Sequence, residues 1–143
     1  MDNIMDSISK QMIPRYSDRY RKLGYDVKTL GWGTREQQTQ RFEQVLKGNV
    51  SVSKKNLIDI GCGFGDLAHF LLQKGVDFRT YMGWDLNSDL INEAKNIWKG
   101  ANHLSFEVMD ITTVEPSKPV ADIGIMLGLL NLHFKDQIDN YDY

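Results

Sequence analysis

The chain has 143 residues, of which 41% are hydrophobic and 25% charged, and its net charge is −2. These proportions describe one globular domain with a sizeable core and exclude a disordered segment. Lysines and arginines are scattered without a basic block, so neither nucleic acid nor an anionic membrane is expected as a partner.

The first ten residues, MDNIMDSISK, are acidic and polar, unlike a signal peptide. Ile4, Ile8 and Met12 recur four apart and predict a short helix, interrupted at Pro14. A second helical stretch is expected from Arg15 to Leu23, stopped by Gly24. Thr34 followed by Gln37 has the form of a capping box, which predicts a helix from Arg35 to Lys47 closed by Gly48. Residues 1–50 therefore read as a helical preface, and residues 51–143 as the body of the domain.

From residue 56 the hydrophobic period changes. NLIDIG is a short apolar run of strand length, and Asp66 to Lys74 carries Leu67, Phe70, Leu71 and Leu72 on a helix ended by Gly75. RTYMGWD reads as a second strand. Asn87 or Ser88 then caps a helix with Leu90, Ile91, Ala94, Ile97 and Trp98 on one face and Gly100 as its stop. LSFEVMD alternates as a half-buried third strand. A loop with Pro116 and Pro119 leads to ADIGIMLGLLNLHF, a nearly all-apolar fourth strand. Its apolar core, residues 123–130, is far short of the ~18 residues that span a bilayer. Strands alternating with helices imply an α/β fold, a Rossmann-like parallel sheet with helices on both faces.

The stretch LIDIGCGFGDL carries the chemistry. A strand that runs through Gly61, Gly63 and Gly65 into a helix is expected to present free backbone N–H groups at a helix N-terminus, with no Cβ to keep a ligand away. Asp85 ends the next strand 20 residues after Gly65, where an acid can grip ribose hydroxyls. A dinucleotide fingerprint requires glycine or alanine at the sixth position from Gly61, and Asp66 stands there. Its carboxylate would face a pyrophosphate, so the loop suits a nucleoside without a diphosphate. An S-adenosyl group meets that demand, and a nucleotide-binding oxidoreductase half is a weaker reading that Asp66 disfavours.

At these residues the chain resembles the class I S-adenosylmethionine-dependent methyltransferases, whose first motif reads apolar-apolar-acid-apolar-Gly-x-Gly-x-Gly. The resemblance covers residues 56–134 and includes four motifs in order. It implies that the backbone at Gly61, Cys62 and Gly63 lies against S-adenosylmethionine, with S-adenosyl-L-homocysteine as product. It implies that Asp59 organises the loop and reaches the methionine amino group. Asp85, with Leu86 beside it, would bind ribose, and Asp110 and Ile111 would hold adenine. Leu127 belongs to the fourth-strand motif on the methionine and substrate side. His133, which follows that strand, is the candidate base, against a plain capping role. LGWGTREQQTQRF resembles the preface that closes over small-molecule substrates.

Each motif has a structural alternative: a tight strand–helix connection for the glycines, a helix N-terminal acid for Asp85 and a turn residue for Asp110. Tyr20, Tyr25 and Trp32 are either pocket walls or packing, while His69 and His103 read as structural. Cys62, the single cysteine, excludes an internal disulfide and makes a reducing, cytoplasmic setting the default. Without a partner cysteine it points to no metal.

The implied activity is in-line transfer of a methyl group to a small-molecule acceptor. The alternative is a non-catalytic cofactor-binding remnant acting as an interaction or oligomer module. Only four of the family's usual seven strands are recognisable, in the spatial order 3-2-1-4. The fourth would then be an apolar edge, expected to be covered by a second copy of the chain, a further C-terminal segment or the N-terminal segment.

Overall fold

The computed structural model describes residues 4–115 and 117–127, with side chains from residue 10 onward. The preface comprises helix α1 (Ile4–Leu23), a 3-10 turn (Val27–Leu30) and helix α2 (Arg35–Lys47). The body runs β1 (Asn56–Ile60), α3 (Asp66–Gln73), β2 (Thr80–Asp85), α4 (Ser88–Ile97), β3 (Leu104–Val108) and β4 (Ile123–Ile125). The four strands form one parallel sheet in the order β3-β2-β1-β4, the expected Rossmann-like arrangement. No helix among the described residues is long and apolar enough to cross a membrane.

The expected break at Pro14 does not occur, because α1 continues through it. Proline deletes the hydrogen bond to the carbonyl four residues earlier, and that residue, Lys10, lies at the exposed surface where water can take its place. One turn later the helix is anchored from outside, since the Asn87 amide donates to the Ile13 carbonyl at 3.0 Å and to the Ser17 hydroxyl at 2.9 Å. Tertiary contact outweighs the local cost of the proline. The capping box at Thr34 forms with one change. Thr34 Oγ1 accepts from the Gln37 N–H at 3.1 Å, while the Gln37 side chain accepts from the N–H of Gly33 rather than that of Thr34. The 3-10 turn escaped the sequence reading. Its cap is Asp26, whose carboxylate accepts from the Lys28 N–H at 2.8 Å.

The core lies between the sheet and the crossover helices. Leu57, Tyr81, Leu104, Phe106 and Ile125 from the strands meet Leu67, Ala68, Phe70, Leu71, Ile91 and Ala94 from α3 and α4. Register sets one row across this sheet: Ile125, Asp59, Gly83 and Phe106. Gly83 is the low point of that row. A Cβ there would sit 2.7 Å from the Phe106 ring and 2.8 Å from the Cys62 sulfur, so glycine makes room for both. β4 lies at the outer side of β1, at the edge of the described sheet.

Candidate functional site

Parallel pairing brings the ends of β1, β2 and β3 to one side of the sheet, and the loop 61–65 opens there. Gly61, Gly63 and Gly65 all have left-handed backbone, with φ of 80°, 55° and 82°. The expectation of free N–H groups is corrected at four positions. Gly61 and Cys62 both donate to the Trp84 carbonyl, at 2.8 and 3.0 Å, and Gly65 donates to the Cys62 carbonyl at 3.0 Å. Gly63 donates to Asp85 Oδ2 at 2.9 Å. These donors fold the loop onto β2 instead of waiting for a ligand.

Asp85 is thereby fixed. Its other oxygen accepts from the Asn87 N–H at 3.0 Å, and burial pushes its pKa up against these stabilising bonds. A carboxylate offers about four acceptor positions; the N–H groups of Gly63, Asn87 and Leu86 all stabilise this one, and an acceptor position remains for a ligand hydroxyl. At the end of β3, one oxygen of Asp110 accepts from both the N–H and the hydroxyl of Thr112, at 2.9 and 2.6 Å, which makes a tight turn there. Ile111 beside it is 38% exposed, an apolar surface without a protein partner large enough to bury it. Leu86 is half-buried next to Asp85.

Asp59 takes another direction. It lies on the core face of β1, and the Tyr81 hydroxyl, diagonal to it across the sheet, donates to its carboxylate. Burial raises its pKa to about 7, partly offset by that hydrogen bond, and the charges of Asp85 and Asp66 add to the rise. Cys62 is buried beside Gly83, and burial raises its thiol well above the usual range. Its side chain therefore packs in the core, leaving only its backbone at the crevice. Leu127, at the end of the described chain, packs against the core cluster. His133 lies outside the described residues. His69 is exposed on α3, and His103 is exposed with its ring stacked on Phe78 at 5.4 Å, neither near Asp85 by any recorded contact. Among the described residues, no group of three or more His, Cys, Asp or Glu could hold a metal ion.

The preface closes over the loop through named contacts. Asp66, at the first position of α3, accepts from the Tyr25 hydroxyl at 2.7 Å and from the Gln38 amide at 3.0 Å. The residue that argued against a pyrophosphate is thus a joint to the preface. The Phe64 ring is held by Tyr20 at 6.0 Å and by Tyr25 edge-on at 5.0 Å. Tyr20 also donates to Glu93 on α4 at 2.8 Å. Of the three aromatics named from the sequence, Tyr20 and Tyr25 pack on the Phe64 ring of the loop, and Trp32 does not. Leu30 lies directly over Gly63, its methyl 2.7 Å from where a Cβ would stand.

Four residues of this neighbourhood escaped the sequence reading: Tyr16, Arg19, Leu30 and Asn87 as a bridge to α1. Tyr16, Arg19 and Tyr20 share the i, i+3, i+4 spacing of one helix face, which is a signal for the first three positions of α1 that matter. The helix expected from Arg15 to Leu23 already carries that face, but no local pattern says that it packs over the glycine loop.

The Methyltransferase domain family model matches residues 57–141, more than half of the chain. The chain belongs to that family. Methyltransferase domains of this kind are typically S-adenosylmethionine-dependent. No curated protein matches the sequence. Among solved structures, the domain is similar to phosphoethanolamine N-methyltransferase 1 of Haemonchus contortus, with 15% identity and a TM-score of 0.63 over 84% of this chain and 25% of that one. It is also similar to an S-adenosylmethionine-dependent methyltransferase of Mesorhizobium loti, with 17% identity and a TM-score of 0.50 over 59% of this chain and 37% of that one. Protein arginine methyltransferase 10 of Arabidopsis thaliana gives 18% identity and a TM-score of 0.50 over 64% of this chain and 26% of that one. These likenesses establish the fold of the methyltransferase domain. The chain spans well under half the length of each of these three proteins.

Proposed function

We propose that this methyltransferase domain binds S-adenosylmethionine in the crevice at the ends of β1, β2 and β3 and serves methyl transfer to a small-molecule acceptor. The observation that carries the reading is Asp85. Its carboxylate is held by backbone N–H groups beside the glycine turn and keeps an acceptor position for a ribose hydroxyl. Asp110 retains an oxygen for the adenine amino group, and Ile111 offers its exposed apolar side to the ring. The left-handed backbone at Gly61 turns the loop toward the nucleoside, Gly63 makes room for Leu30, and Leu30, Tyr20 and Tyr25 close the site and exclude water.

When bound, the sulfonium supplies an already activated methyl group. What remains for the chain is orientation, which holds the acceptor in line and is worth several kcal/mol in barrier. No strong base is required for an acceptor that already carries a lone pair, and His133 stands as the candidate for one that must lose a proton. The small-molecule assignment rests on the balanced net charge and the absence of a basic block. The neighbours named above act on unlike acceptors by their names, a phosphoethanolamine and a protein arginine, so the acceptor does not follow from the fold.

Calorimetric titration of the 143-residue chain with S-adenosylhomocysteine, beside NADH and with Asp85→Ala, tests the reading. Micromolar binding of the first ligand alone, lost in a folded Asp85→Ala variant, is the expected result. A folded wild-type chain that takes up NADH instead, or neither ligand, overturns it.

A further inference from the structure

The two ends of the sheet differ in charge. Parallel pairing sets the glycine loop, Asp85, Asp110 and the acidic first turns of α3 and α4 at one end, and gathers the residues that lead into the strands at the other. Lys54 and Lys55 lead into β1, Arg79 into β2 and His103 into β3. The backbone holds these entries side by side, since the Arg79 N–H donates to the Lys55 carbonyl and the Tyr81 N–H to the His103 carbonyl, both at 2.9 Å. Neighbouring strands lie about 4.8 Å apart, so the row extends over about 10 Å.

All four side chains are exposed, and none is ion-paired among the described residues. The row differs from the other lysines at this end. Lys74, at the C-terminal end of α3, answers the helix dipole and lies over the Phe70 ring at 5.6 Å, whereas Lys54, Lys55 and Arg79 end no helix. Lys54 also has a φ of 58°, alone in the left-handed region among the described non-glycine residues. Glycine is the ordinary solution there, so this lysine is kept at a cost to the fold.

The acids at this end interrupt the row without neutralising it. Asp122 Oδ2 accepts from the Asn56 N–H at 2.8 Å, and Asp77 lends its carbonyl, not its carboxylate, to the Lys54 N–H. Val50 and Val120, on the segments entering β1 and β4, are 61% and 43% exposed. A nucleic-acid backbone of uniform charge would meet Asp77 and Asp122 as well as the row. An extended peptide advances about 3.3 Å per residue, so it can set carboxylates on the row, apolar side chains on the valines and N–H donors on the two acids.

We propose that the strand-entry end of the sheet is a docking surface for an acidic, partly apolar segment of a partner protein. It lies at the opposite end of the strands from the crevice, so a docked partner leaves the crevice open, and the proposal does not depend on what the crevice binds.

The test is fluorescence anisotropy on the full chain with a fluorescein-labelled peptide of six Glu-Ala repeats, beside a labelled oligothymidylate. Wild type should bind the peptide saturably at about 50 mM salt and more weakly at about 200 mM. Lys55→Glu/Arg79→Glu should weaken the peptide about tenfold, while the same charge change elsewhere on the surface, Lys10→Glu/Lys28→Glu, should change it less than about threefold. Lys54→Gly should weaken the peptide while its melting temperature holds or rises, a combination that a merely structural lysine would not give. Absence of saturable peptide binding, equal weakening in the two charge-reversed variants, or tighter binding of the oligothymidylate through Lys55 and Arg79 overturns the proposal.

Discussion

Gly65 and Gly75 share a backbone conformation and differ in what surrounds them, so replacing each with alanine separates two reasons for a glycine. Their φ values are 82° and 72°. An alanine in that region costs roughly 1–2 kcal/mol at either position, reduced equally by the entropy the unfolded chain loses. At Gly75 a Cβ would meet nothing within 4 Å. At Gly65 it would stand 2.7 Å from both Phe106 Cζ and Trp98 Nε1. Neither ring can easily retreat. Phe106 is 5% exposed in the core, and Trp98 is tied to the Phe64 carbonyl at 3.3 Å. Overpacking of this kind costs about 1–3 kcal/mol. Gly75→Ala should therefore lose about 1 kcal/mol and Gly65→Ala about 2–4 kcal/mol, measured by denaturant unfolding at matched slopes. For a chain of this size the extra loss corresponds to a melting temperature roughly 4–12 °C lower. Because Gly65 faces the core, S-adenosylhomocysteine affinity measured well below the transition should change by less than about threefold, a shift of under 1 kcal/mol. Equal stability losses at the two positions would refute the packing argument. A large affinity loss with little destabilisation would place Gly65 on the ligand side instead.

Three further outcomes follow from the polar contacts. Asp59, with a pKa raised from 3.8 to about 7, holds its proton in the folded chain at pH values where the unfolded chain has lost it. Folding thus binds a proton between about pH 4 and 7, so this group's contribution falls as pH rises through that window, by roughly 3–5 kcal/mol in all. Unfolding of wild type and Asp59→Asn at pH 5 and pH 8 should show wild type losing ground to the variant at the higher pH, and a constant gap would exclude it. Asn87 both caps α4, accepting from Asp89 and Leu90, and donates to α1. Asn87→Asp keeps the cap but sets a carboxylate against the Ile13 carbonyl, so limited proteolysis should open residues 4–23 before the body unfolds; equal protection in both proteins would refute the bridge. Asp66→Ala leaves the Gln38 amide unpaired at 2% exposure while Tyr25, 48% exposed, can turn to water. It should cost about 2–4 kcal/mol against about 1 kcal/mol for Tyr25→Phe, and denaturant midpoints that coincide would contradict this ordering.

The elements of the body were legible because each is set by a local signal that packing then reinforces. β3 and α4 carry periods of two and 3.6, β1 is a short apolar run of strand length, and Asn87 and Gly75 mark a start and a stop where the structure has them. The strand order followed from the alternation of strands and helices together with the resemblance. In the preface the local signal misled, since Pro14 is a breaker by itself yet α1 continues through it, anchored beside the proline by Asn87, 73 residues away in sequence. No pattern near Pro14 announces that partner. The same limit applies within the site. The places of Asp85 at the end of β2 and of Asp110 just after β3 were legible because topology fixes them, whereas the seating of the preface over the loop, through Tyr20 on Phe64 and Leu30 on Gly63, is set by tertiary contact alone.

The hydrogen bonds of the glycine loop change what its sequence pattern means. A loop with its N–H groups free would bind anions, and its specificity would be for phosphate. Here Trp84, Cys62 and Asp85 consume the N–H groups of Gly61, Cys62, Gly63 and Gly65, so the loop is already satisfied and presents little donor capacity at these positions. Selectivity then passes to the acceptors around it. Asp85 and Asp110 are acceptors when ionised, which favours a ligand rich in hydroxyl and amino donors and disfavours one rich in phosphate. Asp66, often the residue that must be small when a diphosphate binds, is free to serve as the joint to Tyr25 and Gln38. On the proposed cofactor reading, Asp66 both disfavours a diphosphate and docks the preface, so a substitution that loosens the preface at Asp66 also removes the group that a diphosphate would meet.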